Sequence, residues 1–187
     1  GRGRHHRIEE DMEKVFVIGD SRTGTTSLHR FFLDLGLKSI HYYLDQAKLV
    51  PPIHTDYQGN WQRLKKFYLQ TSYEAFSDFP TRFYYREIFE LFPKARFILS
   101  RRESVEKWQQ SMRNFFIKRG KQIDLDHLTR VHVDFNESIR ELFAAHPEAH
   151  FLELVIDEDS RENSVKLKSF LNMSSSRASL KKLNATR

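Results

Sequence analysis

Gly19 and Gly24 bracket Asp20, Ser21, Arg22 and Thr23, and Thr25, Thr26 and Ser27 follow. This spacing satisfies the phosphate-loop pattern G-x-x-x-x-G-K-[ST] at every position except the lysine, which is Thr25 here. In nucleoside-triphosphate enzymes that lysine reaches the β- and γ-phosphates, so a loop without it is poorly equipped for a triphosphate. Backbone N–H groups at the start of a helix still suit a smaller oxyanion. Arg22 adds a permanently charged guanidinium able to fork onto phosphate or sulfate oxygens. The competing reading is a tight strand-to-helix turn that binds nothing. Against it, two of the chain's seven glycines fall in this one loop, which points to a special backbone need.

A second anion site is suggested by Ser100-Arg101-Arg102-Glu103-Ser104, a turn that opens a helix carrying Ser111 about two turns on. A helix N-terminus beside one or two arginines attracts negative charge. The plainer alternative is a pair of surface arginines neutralised by Glu103 and Glu106.

These residues need a frame. Val15 to Ile18 reads as a buried strand ahead of the loop, and Leu28, Phe31, Phe32 and Leu35 recur at helical spacing with Gly36 placed to cap that helix. Lys38–Tyr42, Tyr73–Ser77, Arg96–Ser100 and Phe151–Ile156 read as four further strands. Residues 44–70, with Pro51-Pro52, Gly59 and a helical stretch from Trp61 to Leu69, read as an insertion. Arg82–Phe92 reads as a helix burying Phe83, Ile88, Leu91 and Phe92, ended by Pro93. Helices follow over Ser104 to about Arg119 and over Leu125–His146, the second with Leu125, Leu128, Val131, Phe135, Ile139 and Leu142 on one stripe. Alternating strands and helices predict an α/β, three-layer fold: a central parallel sheet of about five strands flanked by helices, with ligands at the carboxyl ends of the strands. The residues there are Arg22, then His41, Tyr42 and Tyr43, then Asp78, then Arg101 and Arg102.

The chain has 187 residues, 39% of them hydrophobic and 13% aromatic, enough for one domain with a real core. Residues 13–187 are expected to form that domain, with 1–12 as a disordered tail. Zero cysteines exclude disulfides, thiolate catalysis and cysteine-bound metals, and suit a reducing compartment, with cytoplasm the default. Nine histidines show no metal-ligand spacing, so no metal is expected. No apolar run approaches membrane-spanning length, and no signal peptide opens the sequence. The net charge is +6, and Arg177, Lys181, Lys182 and Arg187 gather at the C-terminus without an acid. Such a cluster is either a solvated tail or a clamp on a small anion, and it lacks the spread of a nucleic-acid-binding face.

Two oxyanion sites in one doubly wound fold resemble the 3′-phosphoadenosine 5′-phosphosulfate-dependent sulfotransferases, whose fold is P-loop nucleotide-kinase-like. Arg22-Thr23-Gly24-Thr25-Thr26 is similar, residue for residue, to the family's 5′-phosphosulfate loop, and Arg102 with Ser111 to its arginine–serine grip on the 3′-phosphate. The spacing of nine between Arg102 and Ser111, against eight in the family, leaves Arg101 and Gln110 as competitors. Ser77-Asp-Phe-Pro80 and Phe92-Pro-Lys-Ala-Arg-Phe-Ile-Leu-Ser100 extend the likeness to bacterial members, over residues 14 to 172.

The resemblance implies the donor 3′-phosphoadenosine 5′-phosphosulfate, the product adenosine 3′,5′-bisphosphate, no metal, and a small-molecule, carbohydrate or lipid acceptor offering a hydroxyl or amine. Positioning and cationic stabilisation then dominate catalysis. Arg22 meets the leaving group, and Thr25, Thr26 and Ser27 hold the 5′-phosphate. His41 and Asp78 are equal candidates for the base, with Glu74 and Glu87 behind them. Of Tyr42, Tyr43, Tyr57, Trp61, Phe67, Tyr68 and Tyr84, most are expected in the core and a minority around the acceptor. A kinase with a degenerate loop, or a non-catalytic anion- or nucleic-acid-binding module, is the alternative.

Overall fold

A computed structural model describes residues 14–181. The expected tail over 1–12, and Lys182 and Arg187 of the basic cluster, lie outside the described residues.

Five strands, β1 (Val15–Val17), β2 (Ser39–His41), β3 (Ala75–Ser77), β4 (Arg96–Arg101) and β5 (His150–Val155), form one sheet in the order β2-β3-β1-β4-β5. Every pairing is parallel, with Phe16 opposite both Phe76 of β3 and Phe97 of β4. The described residues form six α-helices, α1 (Thr25–Asp34), α2 (Tyr57–Gln70), α3 (Tyr85–Leu91), α4 (Val105–Ile117), α5 (Leu125–Ala144) and α6 (Ser160–Phe170).

Side chains alternate across the sheet, so its two faces feed two cores. Phe16, Ile18, Phe76, Phe97 and Leu99 face one side, where they pack with Leu64 and Tyr68 of α2, Tyr85, Ile88 and Phe89 of α3, and Ile139 and Phe143 of α5. Val15, Val17, Ala75, Ile98 and Leu154 face the other, against Leu28, Phe31 and Phe32 of α1 and Leu167 of α6. The result is the three-layer α/β arrangement, with both faces of a parallel sheet covered. Gly36, at φ 85°, closes α1: its N–H donates to Leu33 O and that of Leu37 to Phe32 O, each at 2.9 Å.

Four details depart from the sequence pattern. Segment 44–70, read as an insertion, is the crossover from β2 to β3, and its α2 contributes to the core. A 3₁₀ turn over Thr81–Tyr84 precedes α3, and its tighter winding shifts the phase, so Tyr84, Tyr85 and Phe89 are buried while Phe83, Leu91 and Phe92 are only half-buried. On α5 the inward positions include His132 and Asn136, whereas Val131 is exposed, because polar partners at the site draw that face inward. Helix α6 has no counterpart in the sequence reading. It is polar along most of its length, with Val165 exposed, and is started by Asp159, whose carboxylate accepts from the N–H groups of Arg161 and Glu162.

Candidate functional site

Strand β1 is central, so the loop that leaves it lies between the carboxyl ends of β3 and β4, the position where an open α/β sheet places its ligand. At Gly19 the backbone runs so close to β4 that a Cβ would overlap the Ser100 hydroxyl and carbonyl. Thr23 is fully buried; its hydroxyl donates to the Asp20 carbonyl and sits 2.9 Å from Ser100 Oγ. What Thr23 can offer an anion is therefore its backbone N–H. Arg22 and Gly24 both adopt left-handed backbone, at φ 64° and 78°, and turn the chain into α1. Among the described residues no side chain caps α1 and its first turn holds no acid, so the amides of Thr25, Thr26 and Ser27 and the positive end of the helix dipole face the crevice.

Helix α4 is tied to this loop. Arg22 Nε donates to Ser111 Oγ at 3.0 Å, and its guanidinium lies 5.1 Å from the Phe115 ring centre. Trp108 Nε1 donates to the Ser21 carbonyl at 3.1 Å. Ser111 faces inward with Trp108 and Met112 while Gln110 is exposed, because α4 begins at Val105 behind the capping Ser104.

Behind the loop is a network absent from the sequence reading. Asp20 Oδ1 accepts from Ser21 N at 2.7 Å, and Oδ2 lies 2.8 Å from His132 Nδ1 and 3.7 Å from the Arg82 guanidinium. Burial raises the Asp20 pKa, yet the His132 hydrogen bond and Arg82 outweigh it and hold the carboxyl below its usual range. Arg82 is itself buried; one terminal nitrogen donates to Ile18 O and Asn136 Oδ1, the other to His132 O. The His132 ring stacks on Trp108 with centroids 3.9 Å apart and planes 9° from parallel. Together Asp20, Arg82, His132 and Asn136 fix the loop's shape. The signal in the sequence was His132 and Asn136, four apart and in phase with Ile139 and Phe143, but polar residues do not register in an apolar stripe.

His41 and Asp78, read as rivals, are neighbours. His41 Nε2 lies 3.3 Å from Asp78 Oδ2 and 3.5 Å from Thr26 Oγ1, and His41 Nδ1 lies 2.9 Å from Ser77 Oγ. Burial lowers the His41 pKa, only partly offset by Asp78; burial raises that of Asp78, partly offset by His41. Asp78 is delivered by left-handed backbone at φ 64° immediately after β3. His29 stacks on His41 at 5.4 Å and bonds Ser39 Oγ at 2.8 Å. Glu74 is remote from this pair: it sits at the opposite end of β3 and accepts from Lys38 N.

Arg101 and Arg102 diverge. Arg101 Nε donates to Glu153 of β5 at 2.5 Å. Arg102 donates from Nε and Nη2 to Asp157, at 2.9 to 3.1 Å, and lines a cavity of about 330 Å³ with Gly24, Ser27, Leu28, Lys107 and Lys181. Asp157, Glu158 and Asp159 also line it, each with a partner: Arg102, Lys166 and the α6 amides. Burial pushes the Asp157 pKa up, but Arg102 and the Glu103 N–H bring it below the ordinary value. Lys181 reaches this wall because Leu180 is buried and its N–H donates to Ser164 Oγ at 2.8 Å. Ser111 is turned to Arg22 and is not part of this wall.

On the other side of His41 and Asp78 a larger, mostly apolar cavity of about 760 Å³ is lined by Tyr42, Tyr57, Phe79, Phe83, Phe135 and Glu87 among others. Tyr43, Tyr68 and Tyr84 are instead fully buried; the Tyr43 hydroxyl is 2.7 Å from those of Tyr68 and Thr81. A narrow gap lined by Asp20, Ser21, Asp78, Phe79 and Phe83 lies between the phosphate loop and that cavity, sharing Phe79 and Phe83 with it.

This architecture defines a P-loop-like α/β protein in which the uncapped start of α1 and Arg102 share one cavity, with a mostly apolar chamber elsewhere along the strand ends. The family profile described as the sulfotransferase domain matches residues 14–166, and the chain belongs to that family. It is 31% identical over 113 residues to Ava biosynthesis cluster protein M of Aspergillus versicolor, a match covering 56% of this chain and 43% of that protein. Among the described residues no helix is long and apolar enough to cross a membrane, and no group of three His, Asp or Glu side chains is placed to hold a metal ion.

Proposed function

We propose that this sulfotransferase-family chain moves a sulfuryl group from 3′-phosphoadenosine 5′-phosphosulfate to a hydroxyl or amine of a small-molecule, carbohydrate or lipid acceptor. The observation that carries the donor assignment is the sharing of one cavity by Gly24 and Ser27, at the uncapped start of α1, and Arg102, at the end of β4. A ligand with an anionic group at each end satisfies both, and the lysine that would favour a triphosphate is Thr25.

When bound, the donor supplies an SO₃ group linked to its 5′-phosphate. The amides of Thr25, Thr26 and Ser27 and the two threonine hydroxyls hold that phosphate, with the Gly24 turn setting their direction. Arg102 holds the 3′-phosphate, with Lys181 of the same wall adding charge, while Ser111, bonded to Arg22, stands on the side of the loop. Arg22, on the left-handed turn, stabilises the negative charge that grows on the leaving phosphate as the S–O bond breaks. The His41–Asp78 pair accepts the proton from the acceptor as its oxygen or nitrogen forms the new bond to sulfur. The reading also favours a reducing, cytoplasmic setting and no nucleic-acid partner.

Calorimetric titration tests the donor assignment, the bisphosphate being titrated in EDTA and ATP separately with magnesium and no EDTA. Adenosine 3′,5′-bisphosphate is expected to bind at least about tenfold tighter than ATP with magnesium, a margin of about 1.4 kcal/mol. Equal or tighter binding of ATP would overturn it in favour of a kinase.

A further inference from the structure

Helix α4 turns one stripe toward the phosphate loop, made of Trp108, Ser111, Met112 and Phe115 at positions i, i+3, i+4 and i+7. Three of the four make polar contacts with the loop. Trp108 Nε1 donates to the Ser21 carbonyl at 3.1 Å, the Ser21 hydroxyl points at Met112 Sδ from 4.0 Å, and Ser111 accepts from Arg22 Nε. Phe115 has no polar group to offer, yet Arg22 Cζ lies over its ring, 5.1 Å from the ring centre. A cation at that distance is attracted by the negative face of the ring.

The ring is itself held. Just past the end of α4, Arg119 places Cζ 3.5 Å from the same ring centre, and its Nη1 donates to the Phe115 carbonyl at 3.0 Å. At the other end of the stripe Trp108 stacks on His132, which bonds the Asp20 carboxylate. Phe115 is thus presented by a helix tied to the buried network, whereas Arg22 is carried by the loop. A long side chain such as arginine loses rotamer freedom when it takes one direction, and a charge stabilises a transition state best when its direction is set beforehand. One hydrogen bond fixes a point of the guanidinium; contact with a ring also fixes where its charge lies.

We infer that Phe115 is a positioning residue for the transfer step: its ring sets the direction of the Arg22 guanidinium, and it acts on the reaction only through Arg22. This rests on the sulfotransfer reading for what Arg22 does once it is aimed.

Phe115→Leu keeps an apolar side chain but removes the ring face, and Phe115→Tyr keeps the face. In the ligand-free protein the Arg22 Nε–H signal, assigned by its loss in Arg22→Ala, reports the aim directly by NMR. Its order parameter is expected to fall below about 0.6 in Phe115→Leu and to stay at the wild-type value in Phe115→Tyr. Transfer of label from sulfur-labelled 3′-phosphoadenosine 5′-phosphosulfate to 4-hydroxybiphenyl, at saturating donor, is expected to slow at least about tenfold in Phe115→Leu and to recover in Phe115→Tyr. The donor KM and the adenosine 3′,5′-bisphosphate dissociation constant should stay within about threefold, a split that a general loss of structure would not give. Added to Arg22→Ala, Phe115→Leu should slow transfer by less than about twofold more. An Arg22 signal as ordered in Phe115→Leu as in the wild type, a loss that Phe115→Tyr shares, or a further tenfold loss on the Arg22→Ala background would overturn the inference. Failure of the sulfotransfer reading is distinguishable: the bisphosphate would not bind and no label would move, while the ligand-free NMR comparison would still decide whether Phe115 aims Arg22.

Discussion

His41 Nε2 and Asp78 Oδ2 are 3.3 Å apart across the carboxyl ends of β2 and β3, with Ser77 Oγ on the far side of the imidazole. At that separation each group bears on the titration of the other: Asp78 raises the His41 pKa and His41 lowers that of Asp78, against larger opposite effects of burial.

The pH dependence of turnover follows from this pair. The base must be unprotonated, and burial lowers the His41 pKa, so the acidic limb of kcat/KM is expected below the ordinary imidazole value of 6.5. Asp78 is the neighbour that raises the His41 pKa, so Asp78→Asn should move the limb to still lower pH while activity persists. His41→Ala should abolish the limb and slow turnover. A limb that His41→Ala leaves in place, with activity lost in Asp78→Asn, assigns the base to Asp78.

Arg22→Ala should lower kcat by about 100-fold while changing product affinity much less, because the charge Arg22 meets grows only in the transition state. Single-turnover kinetics beside a bisphosphate titration measures the split. Near-normal turnover would remove Arg22 from the leaving-group role.

Arg102→Ala should weaken adenosine 3′,5′-bisphosphate by about 1.5–3 kcal/mol and leave adenosine 5′-phosphosulfate, which has no 3′-phosphate, nearly unaffected. Equal losses in calorimetry would place Arg102 elsewhere on the nucleotide.

Much of this was readable in the chain before its structure. The apolar strands Val15–Val17 and Arg96–Arg101, the glycine spacing of the loop and the turn at Gly36 are local features, and each element formed close to where its residues favour it. His41, Asp78 and Arg102 were singled out by a positional rule, that ligands gather at strand ends. What escaped was non-local. Nothing adjacent to Asp20 in sequence indicates that His132, 112 residues on, will bond its carboxylate. Arg82 figures in the sequence only as the start of a helix, and its role appears once Ile18 O and Asn136 are brought to it. The nearness of His41 to Asp78 likewise depends on β2 lying beside β3, and the separation of Arg101 from Arg102 depends on β5 presenting Glu153 to one and Asp157 following for the other.

The buried network makes its own prediction. The Asp20 carboxyl is held below its usual pKa, so the stability it contributes is present above the unfolded value of 3.8 and is lost as pH falls through the lower, folded value. Asp20→Asn, which leaves Arg82 and His132 without their anion, should cost about 3 kcal/mol at neutral pH. The deficit should shrink in acid, where the wild-type carboxyl is also neutral. Urea denaturation across pH measures it; a deficit constant from neutral pH to well below 3.8 would mean that the loss is not one of charge.

The central claim, sulfuryl transfer from a phosphoadenosine donor without a triphosphate, is tested most directly by following label into product. Purified protein is incubated in EDTA with sulfur-labelled 3′-phosphoadenosine 5′-phosphosulfate and, in parallel, with magnesium and terminally labelled ATP, each with a panel of phenol, sugar and lipid acceptors. The account predicts label in an acceptor from the phosphosulfate alone, abolished in the Arg22→Ala, His41→Ala double variant. Label transferred from ATP, with none from the phosphosulfate, would contradict it.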